Sequence, residues 1–115
     1  MKEYRVLFHV DESSNSKWTL VLKNIENLFD DIGENIEVEL VANAEGIGLL
    51  YKLPNHFNDK IAKLAGRGVR FFVCANSLQQ QNLTKDFLLD SAEVVPSGVG
   101  EIVRKQSEGW AYVKP

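Results

Sequence analysis

Cys74 is the only cysteine in the chain, and it stands where an apolar run ends: Val69, Arg70, Phe71, Phe72, Val73 and Cys74 are followed by Ala75, Asn76, Ser77 and Leu78. An apolar run that gives way to polar, helix-starting residues reads as a strand feeding a helix. In α/β domains that junction is where ligands and reacting groups gather. A cysteine at a helix start can have its thiolate stabilised by backbone N–H groups and by the positive end of the helix dipole, which makes the nucleophilic form available near neutral pH. Asn76 and Ser77 would supply those N–H groups. His9 lies near the end of the first apolar run and can serve as a base or as an imidazolium beside a thiolate, and Asn43 follows the second. A single thiol cannot form an intramolecular disulfide, so redox chemistry here would use a thiol, a persulfide or a mixed disulfide shared with another molecule. The competing reading is bland: free cysteine is among the most buried residue types, and a strand histidine is usually satisfied by a local hydrogen bond. His56, between Asn55 and Asn58 at the start of a helix, reads as solvent-facing.

These residues can meet only if the elements carrying them release their chains at one place. Arg5 to Val10 and Ile36 to Ala42 read as strands, the second alternating Ile36, Val38, Leu40 and Ala42 against Glu37, Glu39 and Val41. Between them Trp18, Val21, Leu22, Ile25, Leu28, Phe29 and Ile32 form a helical stripe, with Ser14 or Ser16 as N-cap and Gly33 as stop. A crossover of this length returns the chain parallel and right-handed. A second helix is expected from about His56 to Ala65, a strand from Val69 to Cys74, and a third helix from Asn76 or Ser77. A turn over Thr84 to Leu89 and a short strand at Val94 and Val95 come next. Pro96, Ser97 and Gly98 then introduce a helix whose inner face is read as Val99, Ile102 and Val103, and Trp110 to Lys114 is the last strand. The expected architecture is α/β, a three-layer α/β/α sandwich on a mostly parallel five-stranded sheet, with residues 1–115 as one domain. At the C-terminal edge of that sheet His9, Asn43, Cys74, Asn76 and Ser77 can converge.

Composition narrows the function. With 44% hydrophobic and 25% charged residues the chain has the balance of a soluble globular protein, and a net charge of −3 leaves no excess of Lys and Arg for nucleic acid. No run is long enough to cross a membrane, and Val6 to Val10 is broken by His9 and followed by Asp11 and Glu12, unlike a secretory signal; a cytoplasmic location is expected. Two His and one Cys without ligand spacing give no metal site, and no cofactor is expected. Gly98-Val99-Gly100 and Gly46-Ile47-Gly48 each lack the third glycine of a dinucleotide loop, so capping or packing is the better reading.

One family resemblance fails and another runs nearly end to end. Asp11 and Glu12 after the first strand, with Lys114-Pro115 after the last, are similar to a response-regulator receiver, but Cys74 stands where that family needs its aspartate. The opening Phe8-His9-Val10-Asp11, the helix segment Asn24-Ile25-Glu26-Asn27-Leu28, the run Gly68 to Leu78, Val95-Pro96-Ser97-Gly98, and Gln106 with Gly109-Trp110-Ala111-Tyr112 resemble the DsrE/DsrF-like family of small sulfur-relay proteins, in its single-domain branch. The resemblance implies an α/β/α sandwich assembling as a homotrimer or hexamer. It also implies that Cys74, the one residue that matches the family's cysteine, carries sulfur as a persulfide; the strand-end placement makes His9, Asn43, Asn76 and Ser77 the candidate pocket or anion-stabilising groups. With no second thiol in the chain, donor and acceptor would be separate thiol-bearing partners. The reading from another class is a non-catalytic oligomeric binding module with Cys74 merely buried. Its contact segment would be Gly46 to Leu53, which as an apolar cluster is equally suited to the core.

Overall fold

The computed structural model describes residues 2–115. Five strands and four helices alternate: β1 Tyr4–Val10, α1 Asn15–Ile32, β2 Ile36–Ala42, α2 Asn58–Gly66, β3 Arg70–Cys74, α3 Ala75–Gln80, β4 Ala92–Val95, α4 Gly98–Ser107 and β5 Ala111–Val113, with short 3-10 helices at Ala44–Leu50 and Lys85–Phe87. The sheet order is β4-β3-β2-β1-β5. Every pairing is parallel, so all five strands release their chains at the same edge.

Helix α1 forms where its stripe predicts. The Ser14 side chain caps it by accepting from the Lys17 N–H, and Gly33, at φ 87°, ends it while its own N–H donates to the Phe29 carbonyl at 2.8 Å. Its buried face, Trp18, Val21, Leu22, Ile25 and Phe29, lies on the sheet beside α2, α3 and the Ala44–Leu50 segment, forming the large apolar cluster. Each such fully buried aliphatic side chain contributes about 1.5–3 kcal/mol. The Gly46 to Leu53 segment therefore belongs to the core over most of its length. Gly46, Ile47, Leu49 and Leu50 are buried, and the exposed residues are Lys52 and, at 66% accessibility, Leu53. Helix α3 starts at Ala75, one or two residues before the expected Asn76 or Ser77, with Cys74 itself as its N-cap.

The opposite face differs from the sequence expectation. It is covered by α4 over a small cluster of Leu7, Val41, Phe72 and Trp110. Val99 and Val103, read as the inner face of α4, are 56% and 58% exposed. The residues turned to the sheet are Gly98 and Glu101, both buried, with Ile102 and Lys105 half-buried beside them. The reason lies in β2, whose Glu39 is buried on this face at 2% accessibility. Lys105 reaches Glu39 Oε2 at 3.5 Å and Glu101 at 3.7 Å, so α4 presents an ammonium to one oxygen of a buried carboxyl whose other oxygen, Oε1, has no hydrogen-bond partner among the described residues. Burial pushes the Glu39 carboxyl up to about 7, helped by its hydrogen bond with Glu101, while Lys105 pulls the other way.

Candidate functional site

Side chains alternate across a strand, so the members of the α4-face cluster fix the phase of each strand exit. Leu7, Val41 and Phe72 belong to that cluster, and two residues further on stand His9, Asn43 and Cys74. All three leave the sheet on the α4 side of its C-terminal edge, from β1, β2 and β3 in spatial order.

Cys74 lies where β3 turns into α3 at the first residue of α4. Burial, to 6% accessibility, pushes its thiol up; against this, the Gly98 N–H, the Ser77 hydroxyl and the Ser77 and Asn76 N–H groups donate to the sulfur, and the net direction is below the usual cysteine value. The Ser77 hydroxyl is oriented for this. Its oxygen already accepts from the Ala44 N–H at 2.7 Å, leaving its proton to donate. Ala44 sits in the left-handed region at φ 51°, and its carbonyl accepts from Gln81 Nε2 at 3.0 Å, with Gln81 Oε1 in turn accepting from the Tyr51 hydroxyl at 2.5 Å. A strained non-glycine residue is thus held on both its N–H and its carbonyl side, placing the N–H that orients Ser77.

Asn43 and Cys74 meet at Gly98. A Cβ on Gly98 would lie 3.2 Å from the Cβ of each and 3.4 Å from Val41 Cγ1. Glycine here brings the first N–H of α4 onto the sulfur. Substituting Gly98→Ala is expected to push the helix start outward by a few tenths of an ångström, cost about 1 kcal/mol, and raise the thiol's apparent pKa. The pH profile of iodoacetamide alkylation checks this; an unshifted profile would show that the Gly98 N–H does not tune the thiol.

The five residues singled out from sequence do not all touch the sulfur. Asn76 and Ser77 donate to it, and Asn43 flanks it across Gly98. Both ring nitrogens of His9 are engaged elsewhere, Nδ1 with the Tyr112 hydroxyl at 2.7 Å and Nε2 with Asn43 Oδ1 at 2.8 Å. In this arrangement His9 acts on Asn43 rather than as the base of the thiol. Gly98 as a donor and Tyr112 as a partner of His9 were not read from sequence. The Pro96-Ser97-Gly98 turn signalled a helix start but not its target, and nothing local marks a contact between residues 103 positions apart. Among the described residues no group of three or more His, Cys, Asp or Glu is placed to hold a metal ion, and no helix is long and apolar enough to cross a membrane. The arrangement offers a sheltered thiol whose ionised form is favoured by neutral donors, with no triad-like base at the sulfur.

Comparison with known proteins agrees with this architecture. The sequence profile of the DsrE/DsrF-like family matches residues 2–115. The structure of MTH1491 from Methanobacterium thermoautotrophicum, a protein of unknown function, superposes with a TM-score of 0.94 at 42% identity, covering 98% of this chain and 100% of that one. The ychN protein of E. coli superposes with a TM-score of 0.79 at 9% identity, covering 100% of both chains, a likeness of fold alone. No curated protein sequence matches.

Proposed function

Since the chain belongs to the DsrE/DsrF-like family, we propose that it is a sulfur carrier in which Cys74 transiently holds sulfur as a persulfide. The observation that carries this reading is the set of donors on a buried sulfur: Gly98, Asn76 and Ser77 favour the thiolate although burial opposes it. The Cys74 thiolate attacks the outer sulfur of a donor persulfide; the donor S–S bond breaks and the donor leaves as a thiolate with the electron pair, while the outer sulfur and its proton stay on Cys74. An acceptor thiolate then attacks that outer sulfur, forming its own persulfide and returning Cys74 as thiolate. Neither step needs an oxidant or a cofactor, and both need a thiol-bearing partner, since Cys74 is the only cysteine. A reducing, cytoplasmic setting suits such a thiol.

Residues 1–115 would act as one domain within a homo-oligomer, a trimer or hexamer, whose contacts would cover the exposed Val99 and Val103 of α4. Light scattering coupled to size exclusion decides this, and a strict monomer removes the assembly. For the carrier itself, intact mass after incubation with polysulfide is expected to rise by one sulfur atom in the native protein and not in Cys74→Ala. If Cys74 takes up no sulfur and alkylates no faster than a free thiol at neutral pH, the protein is instead a binding module with a structural cysteine.

A further inference from the structure

Tyr112, His9 and Asn43 come from β5, β1 and β2, which are adjacent in the sheet, and their side chains join in a row along its C-terminal edge toward Cys74. The row has a direction. A carboxamide oxygen can only accept, so with Asn43 Oδ1 at 2.8 Å the His9 Nε2 donates; in the neutral ring Nδ1 then accepts, and the Tyr112 hydroxyl at 2.7 Å donates. Asn43 consequently has its oxygen committed to His9, and its nitrogen is turned away from the ring with two N–H bonds to give. Asn43 lies at the point where Gly98 packs on Cys74.

The donors that reach the Cys74 sulfur, from Gly98, Asn76 and Ser77, address the inner sulfur position. Once the persulfide has given its proton to solvent, its negative charge lies one bond further out, on a sulfur that those groups do not serve. A buried anion without donors is costly, so a carrier that holds the loaded form needs another hydrogen-bond donor beside the first set. We infer that Tyr112 and His9 are positioning residues that hold Asn43 with its carboxamide N–H directed to the outer sulfur of a Cys74 persulfide. This rests on the sulfur-carrier reading and extends it, naming the group that recognises the loaded state. A neutral row suits a carrier: it favours a small, singly charged, soft anion without binding it as tightly as a lysine or arginine would.

The test combines two measurements on the full chain, loaded with inorganic polysulfide. Nitrogen-15 NMR of the His9 ring is expected to show the Nε2–H tautomer in the native protein and a loss of that preference in Tyr112→Phe. The lifetime of the loaded persulfide, followed by intact mass during discharge to a small thiol, is expected to shorten severalfold in Tyr112→Phe, Asn43→Ala and Asn43→Asp. It is expected to recover toward the native value in His9→Gln, whose amide N–H can still donate to Asn43, but not in His9→Leu. An Nδ1–H tautomer in the native protein, or an unchanged lifetime in Asn43→Ala, overturns the inference while leaving the carrier reading intact. A native protein that takes up no sulfur overturns both.

Discussion

Gly46→Ala is expected to cost roughly 3 kcal/mol or more and to lower the melting temperature by on the order of 10 °C. A Cβ on Gly46 would lie 2.2 Å from the Val10 carbonyl oxygen, 2.6 Å from its carbon and 2.9 Å from the Asp11 nitrogen. All three are backbone atoms at the exit of β1, so no flexible side chain can move aside. The Val10 carbonyl also accepts from the Asn43 N–H at 3.1 Å, and the Gly46 N–H donates to the Asn43 carbonyl at 2.9 Å. Any displacement of the Ala44–Leu50 segment thus passes to Asn43 and to the Ala44 N–H that orients Ser77. The variant should lose stability and also change the alkylation rate of Cys74. Gly48→Ala is the control: its Cβ would meet Trp18 Cη2 at 3.2 Å, a side-chain contact that can relax. If urea denaturation shows Gly46→Ala no less stable than Gly48→Ala, the close approach is not what holds this edge.

Gly46 illustrates what sequence reading can and cannot reach. Its neighbourhood was legible only as a glycine pair lacking a dinucleotide motif, because the demand for glycine comes from Val10, which is remote in sequence. The strands and α1 were legible because their periods are local, and the clustering of His9, Asn43 and Cys74 at one edge follows from parallel strands all exiting the same way. Their common face was not, since the phase of each strand depends on which neighbours it packs against. The inner face of α4 was misread for a similar reason. Val99, Ile102 and Val103 have the spacing of an apolar stripe, and Ile102 does pack on the small cluster, yet the sheet presents Glu39 there, and a buried carboxyl demands Lys105 more strongly than two valines demand burial. For Cys74 burial and a lowered thiol are not alternatives. The sulfur is buried and its thiol is still depressed, because the groups that bury it are donors.

The buried carboxylate that reorients α4 also makes the fold sensitive to pH, in an unusual direction. Glu39 titrates at about 7 in the folded chain against 4.5 as the ordinary value, because burial and the Glu101 hydrogen bond outweigh the pull of Lys105. The folded state therefore binds a proton that the unfolded state releases. Stability from this group is fully present below pH 4.5, declines as pH rises, and is lost above about 7. The groups facing it are Glu101 and Lys105 from α4, with Arg70 opposite in register on β3. One ammonium serves two carboxylates, so one carboxylate can be made neutral without leaving Lys105 unpaired. Glu39→Gln, which mimics the protonated form, is expected to be more stable than the native protein at pH 8 by about 2 kcal/mol, with the difference vanishing by pH 4.5. Urea denaturation across that range checks it. A difference independent of pH, or a glutamine variant less stable at pH 8, would show that Glu39 is ionised and fully compensated.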